Sequence, residues 1–158
     1  MKLLMENWRE YLEGVETHPD IATSQEDIQT SLDYFYKEHA PEIGKRSDAG
    51  ELFGHNAVRY DLDGGDVFYF LVDKDDIAKA YIALEPFKES YFVGNVRKTK
   101  GGGFYATDLY KWLVDQFGSI YSDYTQTTKA QGLWDRLQQD PEVNVEWLED
   151  EKRWRMAK

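Results

Sequence analysis

The stretch of sequence best suited to chemistry is Arg97-Lys98-Thr99-Lys100-Gly101-Gly102-Gly103. Consecutive glycines let a backbone lie close against a ligand, and the cations beside them favour an anionic one. The residues just before it, Tyr91–Val96, are aromatic and β-branched, as in a strand. Those after it place Leu109, Trp112, Leu113 and Phe117 at helical spacing, so a helix over Phe104–Phe117 is predicted. Strand, glycine loop and helix N-terminus bring backbone amides and the positive end of a helix dipole to one place. That arrangement suits a diphosphate. The same residues also suit a flexible connector whose lysines merely keep it soluble.

The elements that must position this loop can be followed along the chain. Met1, Met5, Trp8, Leu12 and Val15 form the stripe of an amphipathic helix over residues 1–16, which packs on its own domain or docks a partner. Thr17-His18-Pro19-Asp20 breaks it. Thr23-Ser24-Gln25-Glu26 is a capping box for a second helix carrying Ile28, Leu32 and Phe35, which Pro41 and Gly44 close. Lys45–Gly54 reads as a polar, mobile connector.

From Asn56 the period becomes two. Ala57–Leu62 and Asp66–Asp73 flank the hairpin turn Asp63-Gly64-Gly65, and Lys74-Asp75-Asp76 turns the chain into Ile77–Pro86. Lys88-Glu89-Ser90 then leads into the strand before the loop, so the four strands predict an antiparallel meander. Gly118–Tyr121 follows a crossover helix, which lets it lie parallel to that strand. Thr127 or Thr128 caps a further helix with Ala130, Leu133, Trp134 and Leu137 inward. Val143–Leu148 and Arg153–Met156 close as a hairpin across Glu149-Asp150-Glu151. The expected fold is α/β in the broad sense: a single domain over 1–158 with a mixed α+β sheet and helices on both faces.

Composition narrows the function classes. The 158 residues suit one domain with a real core, and 41% hydrophobic residues indicate a folded chain. A net charge of −11, from 30 acidic against 19 basic residues, argues against a nucleic-acid surface and favours a cationic substrate or partner. With no cysteine there is neither a thiol nucleophile nor a disulfide frame, and His18, His39 and His55 show no metal-ligand spacing. No apolar run approaches the roughly 18 residues that span a bilayer, so a cytoplasmic protein without membrane association is expected. Glu85 and Asp61, on the meander, are candidate general bases.

The order of elements resembles the GCN5-related N-acetyltransferase (GNAT) fold, most clearly over Phe70–Met156. Lys98-Thr99-Lys100-Gly101-Gly102-Gly103 is similar to that family's Gln/Arg-x-x-Gly-x-Gly/Ala loop, and Leu109-Tyr110 to the Leu-Tyr that follows it. Anchoring on Leu109-Tyr110 instead moves Ala106 into the last small position, which shifts the cradle by about three residues. Thr127-Thr128-Lys129-Ala130-Gln131-Gly132-Leu133-Trp134 is similar to the family's Asn-x-x-Ala-x-x-Leu-Tyr, with Thr for Asn and Trp for Tyr. The segment from Ser119 to Trp134 resembles a divergent subgroup found in phages and other mobile elements, whose setting would be a bacterial host cell.

The resemblance implies acetyl-CoA as cofactor and an amine as acceptor. Val93, Asn95 and Val96 would offer main-chain groups to pantetheine. Arg97, Lys98, Lys100, Gly101, Gly102, Gly103 and Tyr105 would surround the diphosphate, with Thr127 at the second motif. Where the family has a tyrosine acid this chain has Trp134, whose indole is far too weak an acid, so Tyr121 or Tyr124 would have to serve. The alternative is a GNAT-like binding or assembly module without turnover.

Overall fold

The computed structural model describes residues 25–99, 103–123 and 128–158. The helix expected over residues 1–16, the residues Thr23 and Ser24, loop positions Lys100, Gly101 and Gly102, and Tyr124 and Thr127 lie outside the described residues. The described residues are α+β, with eight strands in a mixed sheet of order β1-β2-β3-β4-β5-β6-β8-β7. These are β1 (Gly44–Leu52), β2 (His55–Leu62), β3 (Val67–Val72), β4 (Ala78–Phe87), β5 (Ser90–Lys98), β6 (Ser119–Ser122), β7 (Asn144–Leu148) and β8 (Arg153–Ala157). The helices are α1 (Gln25–Tyr34), α2 (Ala40–Ile43), α3 (Ala106–Phe117) and α4 (Thr128–Gln138). Among the described residues, no helix is long and apolar enough to cross a membrane.

The chain divides into two compact units: Met1–Ala83 with Asn95–Gly102, and Leu84–Gly94 with Gly103–Lys158. In the first, α1 contributes Leu32 and the turn that follows it contributes Phe35 to the core, where the Phe35 ring meets Phe68, Phe70 and Tyr81 at 5.3, 5.6 and 4.9 Å. Between α1 and α2 the residues Phe35–His39 form a π-helical turn, in which the Ala40 N–H donates to the Phe35 carbonyl. The expectation that Pro41 ends the helix is therefore corrected: Pro41 sits in the first turn of α2, where a missing N–H costs no hydrogen bond. Gly44 does end it.

The second correction concerns Lys45–Gly54, which is not a connector. Most of it is β1, antiparallel to β2 from Gly44↔Leu62 to Leu52↔His55, with a bulge between Asp48 and Glu51. Main-chain bonds to β2 form this strand although residues 45–51 are all exposed, so no hydrophobic period could announce it. The next hairpin follows expectation. β2 pairs antiparallel with β3, and the turn closes with Leu62 N–H donating to Asp66 O and Gly65 N–H to Leu62 O. All six side chains of β3 are buried, so this strand is covered on both faces.

In the second unit α3 packs on β6 and α4, and α4 on β7. The buried face of α3 is Leu109, Tyr110, Leu113 and Val114, while Trp112 and Phe117 are half-buried. Gly118 ends α3 at φ +82°, a conformation that favours glycine, and its N–H donates to Val114 O at 2.7 Å. β6 pairs parallel to β5 and antiparallel to β8, and β8 pairs with β7.

Candidate functional site

β5 carries Val93 buried and Asn95, Val96, Arg97 and Lys98 half-buried. Thr99 fixes the strand's end, its N–H and hydroxyl both donating to Lys79 O at 3.0 and 3.3 Å. Arg97 donates to its neighbour's carbonyl, Val96 O, at 3.3 Å. Past the loop, Gly103 adopts φ +80° with nothing within 4 Å of where a Cβ would stand. Tyr105 is 77% exposed and caps α3 from the residue before it; its N–H donates to Asp108 Oδ2 at 2.8 Å. Asp108 already places a carboxylate at this helix N-terminus, so an anion binding there would have to share the dipole with it.

The parallel ladder between β5 and β6 is two pairs long, Phe92↔Tyr121 and Val93↔Ser122. β6 ends at Ser122, whereas β5 runs on to Lys98. At the same residue β6 also leaves β8: the ladder ends at Tyr121↔Arg155, and the Trp154 N–H donates to the Ser122 hydroxyl at 2.8 Å.

Tyr121 is engaged by a group that the sequence did not nominate. Its hydroxyl donates to both oxygens of Glu89, at 2.7 and 2.8 Å, and the Ser119 hydroxyl donates to Glu89 Oε1 at 2.9 Å. Arg155, opposite Tyr121 on β8, donates to the phenol oxygen through Nε at 3.3 Å and lies 3.5 Å from Glu89 through Nη2. The Tyr121 bond chiefly, then the Glu89 backbone N–H, Ser119 and Arg155, hold the Glu89 carboxyl down at about 2. Burial, followed by the adjoining Glu89 carboxylate, pushes the Tyr121 phenol up, so it stays protonated. Ser119 and Tyr121 thus meet on one carboxylate, which comes from the residue before β5 begins and not from its open end.

Beside this cluster the Arg153 guanidinium lies 4.0 Å from the Phe87 ring and 4.6 Å from that of Phe92. Trp134 is 1% exposed, against 6% for Leu133, and sits edge-on to Tyr110 at 5.6 Å. It is buried with Leu133 and Leu137 on the inward face expected of this helix. Glu85 is half-buried on β4, and Asp61 is held on β2 by Arg59, which bonds both its oxygens at 2.8–3.1 Å. Among the described residues, no group of three His, Asp or Glu side chains could hold a metal ion.

Glu89, Ser119 and Arg155 escaped sequence reasoning because they lie far apart in the chain. The available signal was the spacing of Ser119 and Tyr121, two residues apart and so on one face of a strand. The chain matches no family model, and no curated protein matches it significantly.

Proposed function

We propose that the chain has a GNAT-like fold and transfers an acetyl group from acetyl-CoA to an amine, with the cofactor held on the stretch from Val93 to Tyr105. The reading rests chiefly on the short parallel ladder: β5 and β6 pair over Phe92 and Val93 only, and β5 then continues to Lys98 ahead of the glycine loop and α3. A strand that outruns its parallel neighbour keeps main-chain N–H and C=O groups beyond the ladder, the kind of edge that an amide-bearing pantetheine chain can pair with. Arg97 and Lys98 lie next along the chain with charge suited to a diphosphate. Gly103 fits a close backbone approach, since it takes a positive φ and has open space where a side chain would begin.

Bound acetyl-CoA supplies an activated thioester carbonyl. The chain's own share is to orient that carbonyl, accept a proton from the amine and return one to the leaving thiolate. Glu85 is the half-buried carboxylate on β4 suited to accepting the amine proton. A net charge of −11 draws a cationic acceptor inward.

A second reading, a binding or assembly module without turnover, is favoured by a specific observation. Trp134 is buried, and the Tyr121 proton is given to Glu89, away from the open end of the ladder. Calorimetric titration of the full chain with acetyl-CoA, followed by a thiol-release assay with polyamines and lysine peptides, separates the two. Saturable binding with turnover supports the transferase, and binding without turnover supports the module. No heat and no thermal stabilisation would remove the transferase and leave the module.

A further inference from the structure

We infer that Glu89 is a positioning residue for the acyl-CoA site, because its contacts with Ser119 and Tyr121 set the register of β5 on β6 and hence the point where the strands part. The inference rests on the proposed cofactor reading. Its premise is that a parallel ladder of only two pairs specifies its own register poorly, since parallel pairing is weak per residue. Some other contact must pin it, and the start of β5 supplies one. The Ser90 hydroxyl donates to Ser119 O at 2.5 Å, while the adjoining Glu89 takes the Ser119 hydroxyl and the Tyr121 phenol. The first residue of β5 and the turn residue just before it thus grip residues of β6 at two levels.

The grip is directional. Ser119 and Tyr121 are buried and fixed in β6, and Arg155 faces Tyr121 in register from β8, so the donors stay in place. Glu89 comes from the turn after β4, with Lys88 at φ +51° and the Glu89 side chain 51% exposed. Shifting β5 by one residue would swing this carboxylate off both hydroxyls and move Val93 and the residues beyond it relative to Ser122. The main-chain groups offered to the cofactor would change with them.

The test uses the full chain as wild type, Glu89→Gln and Glu89→Ala, with Lys111→Ala as a control that breaks a surface tie to Asp140 and Glu142 elsewhere in the same unit. Hydrogen exchange over residues 90–98 and 119–122 reads the register, CoA titration reads the site, and thermal melts confirm folding. In Glu89→Ala, exchange in both segments should rise and CoA affinity fall about tenfold, equivalent to one decade in Kd. Glu89→Gln, which keeps one acceptor oxygen, should fall between, and Lys111→Ala should leave affinity unchanged. Unchanged exchange in Glu89→Ala overturns the register role whatever CoA does. Raised exchange with wild-type affinity overturns the link to the site. Raised exchange in a chain whose wild type binds no CoA leaves the strand grip standing and refutes the cofactor reading and the positioning role together.

Discussion

Truncating Trp134 to alanine tests the packing of the second unit at a large, fully buried side chain. The side chain is 1% exposed and edge-on to Tyr110, whose own phenol is pushed up by burial. Removing a fully buried indole forfeits its transfer free energy and leaves a cavity, for about 3–5 kcal/mol in total. The edge-to-face contact with Tyr110 contributes about 1 kcal/mol of that sum. With a urea dependence of about 2 kcal/mol per molar, the unfolding midpoint should drop by about 1.5–2.5 M. Far-UV circular dichroism is the assay, since other tryptophans in the chain would confuse fluorescence. Trp134→Phe, which keeps an aromatic edge, should recover more than half of the loss. A drop of less than about 0.5 M for the alanine variant, about 1 kcal/mol on the same scale, would refute the reasoning. Trp134→Tyr belongs to the same series. A phenol there is buried too, so the substitution should destabilise without creating acetyl transfer, and new turnover would show that the site opens to substrate.

Other outcomes follow from single contacts. Glu89 titrates at about 2 in the folded chain against an ordinary 4.5, so its contribution is complete above pH 4.5 and is lost as pH falls towards 2. Solvent screening of this half-exposed carboxylate reduces that contribution to about 1 kcal/mol, and Glu89→Gln should flatten the acid limb of the stability curve by that amount. Gly103→Val meets no clash but forces a β-branched residue to φ +80°, costing about 1–2 kcal/mol, and should weaken CoA binding more than Gly103→Ala does. The Tyr36 phenol, raised to about 12 by burial and then by its hydrogen bond to Asp76, should be missing from the phenolate absorbance that other tyrosines develop near pH 10. Tyr36→Phe should cost about 1–2 kcal/mol, checked by urea melts at neutral pH.

Most of the sheet was legible in the sequence because its strands alternate or are punctuated by turn residues. Asp63-Gly64-Gly65 announces the hairpin found between Leu62 and Val67, and the crossover argument places β6 parallel to β5 as observed. β1 was missed because its exposed side chains leave only main-chain bonds to define it, and these have no signature in residue types. The π-helical turn was missed for a related reason: its extra residue is absorbed before Pro41 without disturbing the apolar spacing of Ile28, Leu32 and Phe35. In the candidate site, Tyr121 and Trp134 could be nominated by position. What they touch could not, because Glu89 reaches Tyr121 across 32 residues and Arg155 across 34. Glu89 reads in sequence as one more solvated carboxylate of an acidic chain.

The exposed strand β1 also divides the chain by mutational tolerance. Apart from Gly50, held at φ +91°, and Arg46, whose guanidinium lies 5.7 Å from the Tyr36 ring, substitutions over residues 45–51 touch little beyond solvent and should change stability by no more than about 0.5 kcal/mol each, so this is where a short epitope or spectroscopic label can be written in. Gly44 marks the boundary of that freedom. A Cβ there would stand 3.1 Å from Tyr60 Cβ, 3.2 Å from Leu62 Cδ1 and 3.3 Å from Asp61 O, so the permissive strand begins at one of the less forgiving residues of its unit.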